Sequence, residues 1–206
     1  MDQSADAPVL PSAPKSLTKV LGRPDQAAWD EAIVKEMKGL DEAKIFVHNL
    51  TREQLTERGV LPAKTIVGMR MLLDVKLKPD GTLDKLKARN VVQGHKGYVQ
   101  HGVHFSAVFA AAPSIPASRV VQAIGVMEGY HRWTQDLCQA YLHGEVTADE
   151  AIPVRYPKGL ERFGYGGTNE KGEELLGLLV GNLYGNPPAG RYWARRRDKW
   201  IIKQKT

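Results

Sequence analysis

A single cysteine, Cys138, among 206 residues rules out an internal disulfide and points to a reducing compartment. Long apolar runs are missing too. The longest, Leu175 to Leu183, is broken by Gly177, Gly181 and Asn182, well short of the ~20 residues that cross a bilayer. Asp2 and Asp6 stand in a start without an apolar stretch, so no secretory signal is read there. These gaps place the expected protein inside the cell, cytoplasmic or nuclear, with no membrane partner. His101-x-x-His104 lacks a second pair at zinc-binding spacing and reads as two loop histidines. The glycines at 164, 166, 167 and 172 do not lead a strand into a helix, so they read as a surface loop and not as a phosphate cradle. No internal repeat is visible.

What is present suffices for a core. Hydrophobic residues make up 42% and charged residues 25%, an ordinary balance for one or two globular domains. Lysine and arginine total 29 against 23 acidic residues, a net charge of +6 that suits a polyanionic partner. Residues 1–22, with Pro8, Pro11, Pro14 and several serines, read as a flexible lead-in, and residues 23–206 as the ordered part. Asp25 stands where a helix cap is expected. Trp29, Ile33, Met37 and Leu40 follow at helical spacing, with Gly39 near the end.

A period of two comes next. Met69, Met71, Leu73, Val75 and Leu77 alternate with Arg70, Leu72, Asp74, Lys76 and Lys78, the pattern of a strand with one buried face. Asp80-Gly81 predicts a tight turn, and a second strand runs from about Leu83 to Gln93. On it Lys85, Lys87 and Arg89 share one face, while Leu86, Ala88 and Val92 share the other. The cationic row is either a solvated face that keeps an outer strand soluble or a site for phosphate. Pro116 to Glu128 reads as a helix with an apolar stripe of Val120, Val121, Ile124 and Met127, stopped by Gly129. His131 to Leu137 is a short strand candidate that carries Asp136 near its end. Arg191 to Ile202 reads as a helix, with Trp193 and Trp200 on it. Mixed in this order, the elements predict an α+β fold with an antiparallel sheet and packed helices.

Several blocks in order resemble the reverse transcriptase of copia-type LTR retrotransposons. Trp29 with Glu36 matches a helix that the family places before its fingers. Lys87-Ala88-Arg89-Asn90-Val91-Val92-Gln93-Gly94 is similar to the family's Lys-Ala-Arg-Leu-Val-x-x-Gly. Gly102-Val103-His104-Phe105 and Phe109-Ala110-Ala111-Ala112-Pro113 resemble Gly-x-Asp-Tyr and Phe-Ala-Pro. Gln135-Asp136-Leu137-Cys138-Gln139-Ala140-Tyr141-Leu142-His143-Gly144 resembles Gln-x-Asp-Val-x-x-Ala-Phe-Leu-x-Gly, which carries the first catalytic aspartate. Tyr156-Pro157-Lys158-Gly159-Leu160 is similar to a Pro-x-Gly segment. Leu183-Tyr184-Gly185 with Arg191 and Trp193 resembles Leu-Tyr-Gly-Leu-Lys-Gln-x-x-Arg-x-Trp. The resemblance covers about residues 26–202.

It implies the fingers and part of the palm of a right-hand polymerase, an RNA-directed DNA polymerase with a template–primer and a dNTP as partners. It further implies Mg²⁺ as cofactor, two ions in the complete enzyme, with Asp136 as a catalytic and metal-holding carboxylate. Leu137 would offer a backbone group near the nucleotide. Tyr141 would stand as the aromatic gate under the sugar, where a ring leaves no room for a 2′-hydroxyl. Lys87 and Arg89 would lean over the triphosphate and neutralise its charge. Lys76, Lys78 and Arg195 to Arg197 are either further backbone contacts or, for the arginine run, a solvated helix face.

The sequence departs from the pattern in places. The family's Tyr-x-Asp-Asp is not found after Asp136, so the piece is expected to stop short of the complete palm and to be inactive alone. Asn186-Pro187-Pro188 replaces Leu-Lys-Gln, whose glutamine supports the nucleotide. His104 stands for the usual Asp, and the Phe-Ala-Pro segment carries two extra alanines. A non-catalytic nucleic-acid-binding remnant is the alternative reading.

Overall fold

The computed structural model describes residues 11–95, 99–110, 112–132, 137 and 139–203. Helix α1 (Gln26–Glu42) is built as its spacing predicts. Trp29, Ile33, Met37 and Leu40 form its inward stripe, and all four are buried. Asp25 holds the N-cap position, but its carboxylate does not cap. It accepts two bonds from the Arg23 guanidinium at 2.7 and 2.9 Å and one from the Trp29 indole at 3.1 Å. The acid is thereby spent on anchoring the first buried aromatic.

Strand β1 (Phe46–Leu50) and a short helix α2 (Arg52–Glu57) follow. Thr51 and Gln54 close a capping box at the start of α2. The hairpin of β2 (Val67–Leu77) and β3 (Leu83–Val92) is antiparallel, in register from Met69 opposite Val92 to Lys76 opposite Lys85, and shifts by one residue before Leu77 meets Leu83. Val67, Met69 and Met71 are buried and Arg70 and Leu72 exposed, as alternation requires. Burial fades beyond Met71, so the outer half of the hairpin extends past the core. Its tip is longer than a two-residue turn. The Lys78 amide donates to the Thr82 carbonyl and the Gly81 amide to the Lys78 carbonyl, both at 2.9 Å. The Asp80 side chain accepts from the Thr82 amide and hydroxyl.

Helix α3 (Ile115–Met127), strand β4 (Ile152–Arg155), strand β5 (Leu176–Leu179) and helix α4 (Ala189–Lys203) complete the order. The sheet runs β1-β5-β4-β2-β3. It is mixed, not wholly antiparallel, because β4 lies parallel to β2 through Val67–Val154 and Gly68–Arg155. A parallel pair needs a long crossover connection, and the stretch containing α3 supplies one. On one side α1 covers β2, β3 and β4, with Ile33, Met37, Met69, Met71, Ala88 and Val154 in the shared core. On the other, Leu55 of α2 meets Leu176 and Leu178 of β5 in a smaller cluster.

The structure adds detail to three sequence expectations. Within the segment read as a flexible lead-in, Leu17 and Val20 are buried in and beside a 3₁₀ turn at Leu17–Lys19, and Arg23 holds the Ser12 carbonyl. Two apolar side chains suffice to fasten a proline-rich segment. Helix α3 forms as predicted, with Ser114 as its cap, but its apolar stripe is not buried among the described residues. Val120, Val121, Ile124 and Met127 are all exposed, and no residue of α3 is buried. The strand expected at 131–137 falls largely on residues outside the description, and His131, Arg132 and Leu137 are not in a strand.

One crossing fixes the edge of the sheet. The Val92 amide, at the end of β3, donates to the Tyr184 carbonyl at 2.9 Å. A side chain on Gly185 would stand 2.2 Å from the Val92 carbonyl oxygen, and one on Gly94 would stand 2.1 Å from the Gly185 carbonyl oxygen. Only two backbones without side chains fit there.

Candidate functional site

Strand β3 presents its cations as the alternation requires. Ala88, Asn90 and Val92 turn inward, and Lys85, Lys87 and Arg89 turn outward. On the neighbouring strand Leu72 stands opposite Arg89 and Asp74 opposite Lys87. Leu72, Leu73, Asp74, Lys87 and Arg89 line a hollow of about 230 Å³. Asp74 is engaged by Lys76 at 2.6 Å, which leaves the Arg89 guanidinium exposed and open to an anion. Burial lowers the Lys87 ammonium below its ordinary range, and the neighbouring Arg89, Lys85 and Lys76 lower it further. A phosphate would relieve that mutual repulsion.

Behind this row lies Glu36 of α1. Its carboxylate accepts the Asn90 amide at 3.0 Å, on the free edge of β3. Burial raises this carboxyl above the usual range, against the opposing pull of that bond, Arg89 and Lys87. Helix α1 and β3 together wall a groove of about 630 Å³ that includes Lys35, Lys38, Lys85, Lys87 and Glu36. Gln139 lines the same groove and reaches toward Gly39 of α1. Gln139 thus comes up against α1, in the groove that Lys85 and Lys87 also line. Asp136 itself lies outside the described residues. Leu137 is described and 55% exposed.

Tyr141 rides on a 3₁₀ turn (Ala140–His143) that the chain enters through Gln139 in a left-handed conformation, φ 52°. Leu142 anchors the turn in the core, and the Tyr141 ring stands out, 43% exposed. Its position is set from below. The side-chain amide of Asn182, fully buried, donates to the Tyr141 carbonyl at 2.7 Å and to the Ala189 carbonyl at 3.0 Å. Gly144 closes the turn tightly against Tyr192 and Trp193 of α4.

Tyr184 links the two parts. Its ring meets Tyr141 edge-on, with centroids 6.2 Å apart and planes at 79°. Its carbonyl holds the end of β3. Burial raises its hydroxyl above the ordinary range, with the charge of Glu36 adding to the shift and Arg89 opposing it. Sequence reasoning missed Tyr184 as a site residue, and Glu36 and Asn182 with it. All three stand in or beside the resembling blocks, but only the folded chain shows which groups they touch.

The remaining candidates behave differently. Arg195 to Arg197 are matched by acids, with Arg195 4.0 Å from Glu150, Arg196 3.9 Å from Glu145 and Arg197 2.8 Å from Asp198. The solvated-face reading fits them better than a phosphate site. His104 is buried, with Nδ1 accepting the Gln100 amide at 3.0 Å, and His101 Nε2 donates to the Ser106 carbonyl. Both histidines tie their own loop. Among the described residues no three His, Cys, Asp or Glu side chains gather as metal ligands. The magnesium expectation therefore rests on Asp136 and the sequence alone. A second polar cluster was not foreseen. The Asp41 carboxylate accepts the Tyr165 hydroxyl at 2.5 Å and faces His48 Nε2 at 2.8 Å, while His48 Nδ1 meets the Tyr156 hydroxyl at 2.5 Å. Burial leads the shift that pushes Tyr165 up to about 12. The close approach of Gly177 walls in the Tyr156 hydroxyl, and the cluster ties α1 to β1 and to the residue that follows β4, with Asp41 at its solvent side.

No family model matches the sequence, and no solved structure matches it. Among curated proteins it is similar to the retrovirus-related Pol polyprotein from transposon RE2 of Arabidopsis thaliana, 27% identical over 133 residues. That alignment takes in 64% of this chain and 8% of the polyprotein. The likeness supports an origin in the Pol region of a retrotransposon polyprotein. No helix among the described residues is long and apolar enough to cross a membrane.

Proposed function

We propose that this chain is the fingers and part of the palm of a copia-type reverse transcriptase, and that its groove beside β3 receives a nucleoside triphosphate. The observation that carries this reading is the juxtaposition at the groove. Gln139, three residues beyond Asp136, lines it together with Lys85 and Lys87, elements far apart in sequence. In this reading Lys87, which lines both the groove and the adjoining hollow, takes the phosphates as a point charge, and Arg89 reaches them from the hollow as a bidentate donor. The Tyr141 ring closes the sugar side, and Leu137 contributes backbone. Asp136 supplies one carboxylate for magnesium, which would neutralise the triphosphate and activate the primer hydroxyl when bound. Asp136 is a single carboxylate and two-metal chemistry needs others, so this chain alone is expected to bind nucleotide without extending a primer.

The test is equilibrium binding of a fluorescent deoxynucleoside triphosphate in magnesium buffer. Loss of a charge-assisted contact at Arg89→Ala weakens binding by about tenfold or more, and Lys87→Ala by less. Binding that ignores both substitutions, or no binding at all, sinks the proposal. Joined to the downstream polyprotein segment, the chain extends a primer, and Asp136→Ala abolishes that extension.

A further inference from the structure

The Tyr141 ring is poorly placed to act alone. It is 43% exposed and stands on a one-turn 3₁₀ element, which by itself does little to fix χ1. A ring that excludes one hydroxyl must be held to a fraction of an ångström, and a rotating ring excludes nothing. Tyr184 supplies the missing wall. It touches Tyr141 edge to face, the arrangement in which the positive rim of one ring meets the negative face of another. It is also rigidly held. Leu183 before it is fully buried, its own carbonyl takes the Val92 amide, and Gly185 after it is pressed against Val92. Two residues upstream, Asn182 holds the Tyr141 backbone. Three consecutive residues, 182 to 184, thus set both the backbone and the ring of Tyr141, and the last of them is tied to the strand that carries Arg89.

We propose that Tyr184 is a positioning residue for sugar selection: its ring holds Tyr141 in the one orientation that rejects a 2′-hydroxyl. The inference rests on the reading that a nucleotide lies between Arg89 and Tyr141. It adds that deoxyribose preference belongs to the pair of rings and not to Tyr141 alone. The hydroxyl of Tyr184 is dispensable in this role, because the contact is made by the ring.

Three probes separate the possibilities: deoxyadenosine triphosphate, adenosine triphosphate and inorganic tripolyphosphate, each with magnesium. Wild type favours the deoxynucleotide. Tyr184→Phe keeps that preference. Tyr184→Leu, which fills the space without a flat ring, and Tyr184→Ala bring the ratio of the two affinities close to one. Tripolyphosphate binds all variants as it binds wild type, because the cationic face of β3 is untouched. This arm also reports that a variant has folded. A purely structural role would weaken all three ligands together and leave the ratio standing. An unchanged deoxy preference in Tyr184→Leu overturns the inference while the nucleotide reading survives. Equal affinity of wild type for the two nucleotides overturns the inference alone, and no affinity for either overturns the nucleotide reading with it.

Discussion

Asn182 shows how much of the candidate site hangs on one side chain. Its amide joins the turn bearing Tyr141 to the first residue of α4, and both acceptors are backbone carbonyls. Replacing it with alanine strands those groups in a dry interior, so Asn182→Ala is expected to cost roughly 1–3 kcal/mol in urea unfolding. Glu36 makes a pH-dependent contribution. Its carboxyl binds a proton more tightly when folded, owing first to burial. Such a group favours folding below the ordinary glutamate range, and this contribution is lost as pH rises through the raised value. Wild type should therefore lose stability relative to Glu36→Gln as pH increases through and above that range. Unfolding curves for the two proteins at about pH 4 and about pH 7 check it, since the amide cannot titrate. At this scale the sequence was legible where chemistry is local. The outward set of Lys85, Lys87 and Arg89 follows from alternation alone. The partners of Glu36, Asn182 and Tyr184 are 54, 41 and 43 residues distant, and no pattern in their own neighbourhood announces them.

Helices α1 and α3 carry similar apolar stripes and meet opposite fates. The stripe of α1 is buried against the sheet, and that of α3 is open to solvent among the described residues. Periodicity reports that a face is apolar and does not report what it meets. The difference should appear in mutant stabilities. Ile33→Ala opens a cavity in the main core and is expected to cost about 2–5 kcal/mol, while Val121→Ser on α3 stays within about 0.5 kcal/mol. Thermal or urea unfolding of the two variants decides it. A large loss from Val121→Ser would mean that the α3 face is covered. The strands tell a related story. Register between β2 and β3 could be read off because a hairpin pairs neighbours. The parallel meeting of β2 with β4 depends on a crossover whose direction the residues do not encode locally.

At the scale of the molecule, two cores share one mixed sheet, and a net charge of +6 sits largely outside them. The arginines of α4 stand beside Glu145, Glu150 and Asp198, whereas the row on β3 leaves Arg89 exposed. A primer–template duplex should therefore bind in a salt-dependent way, and the dependence should flatten in a Lys85→Ala, Lys87→Ala, Arg89→Ala triple variant but not when Arg195 to Arg197 are replaced. Filter binding across a salt series measures both slopes. The α+β class was legible from composition and order, and the position of the groove was not, because it is made where α1, β3 and the 139 segment converge.

The contact between Gly94 and Gly185 has a consequence for how this sequence tolerates change. The Gly185 carbonyl leaves no space for a methyl group on Gly94, and the Val92 carbonyl leaves none on Gly185, so both obstacles are backbone that no neighbouring substitution removes. In a saturation library screened for soluble protein, both codons should return glycine alone, singly or in combination. A copy that drifted at either site would lose the hinge between its cationic strand and its tyrosine pair before it lost its core.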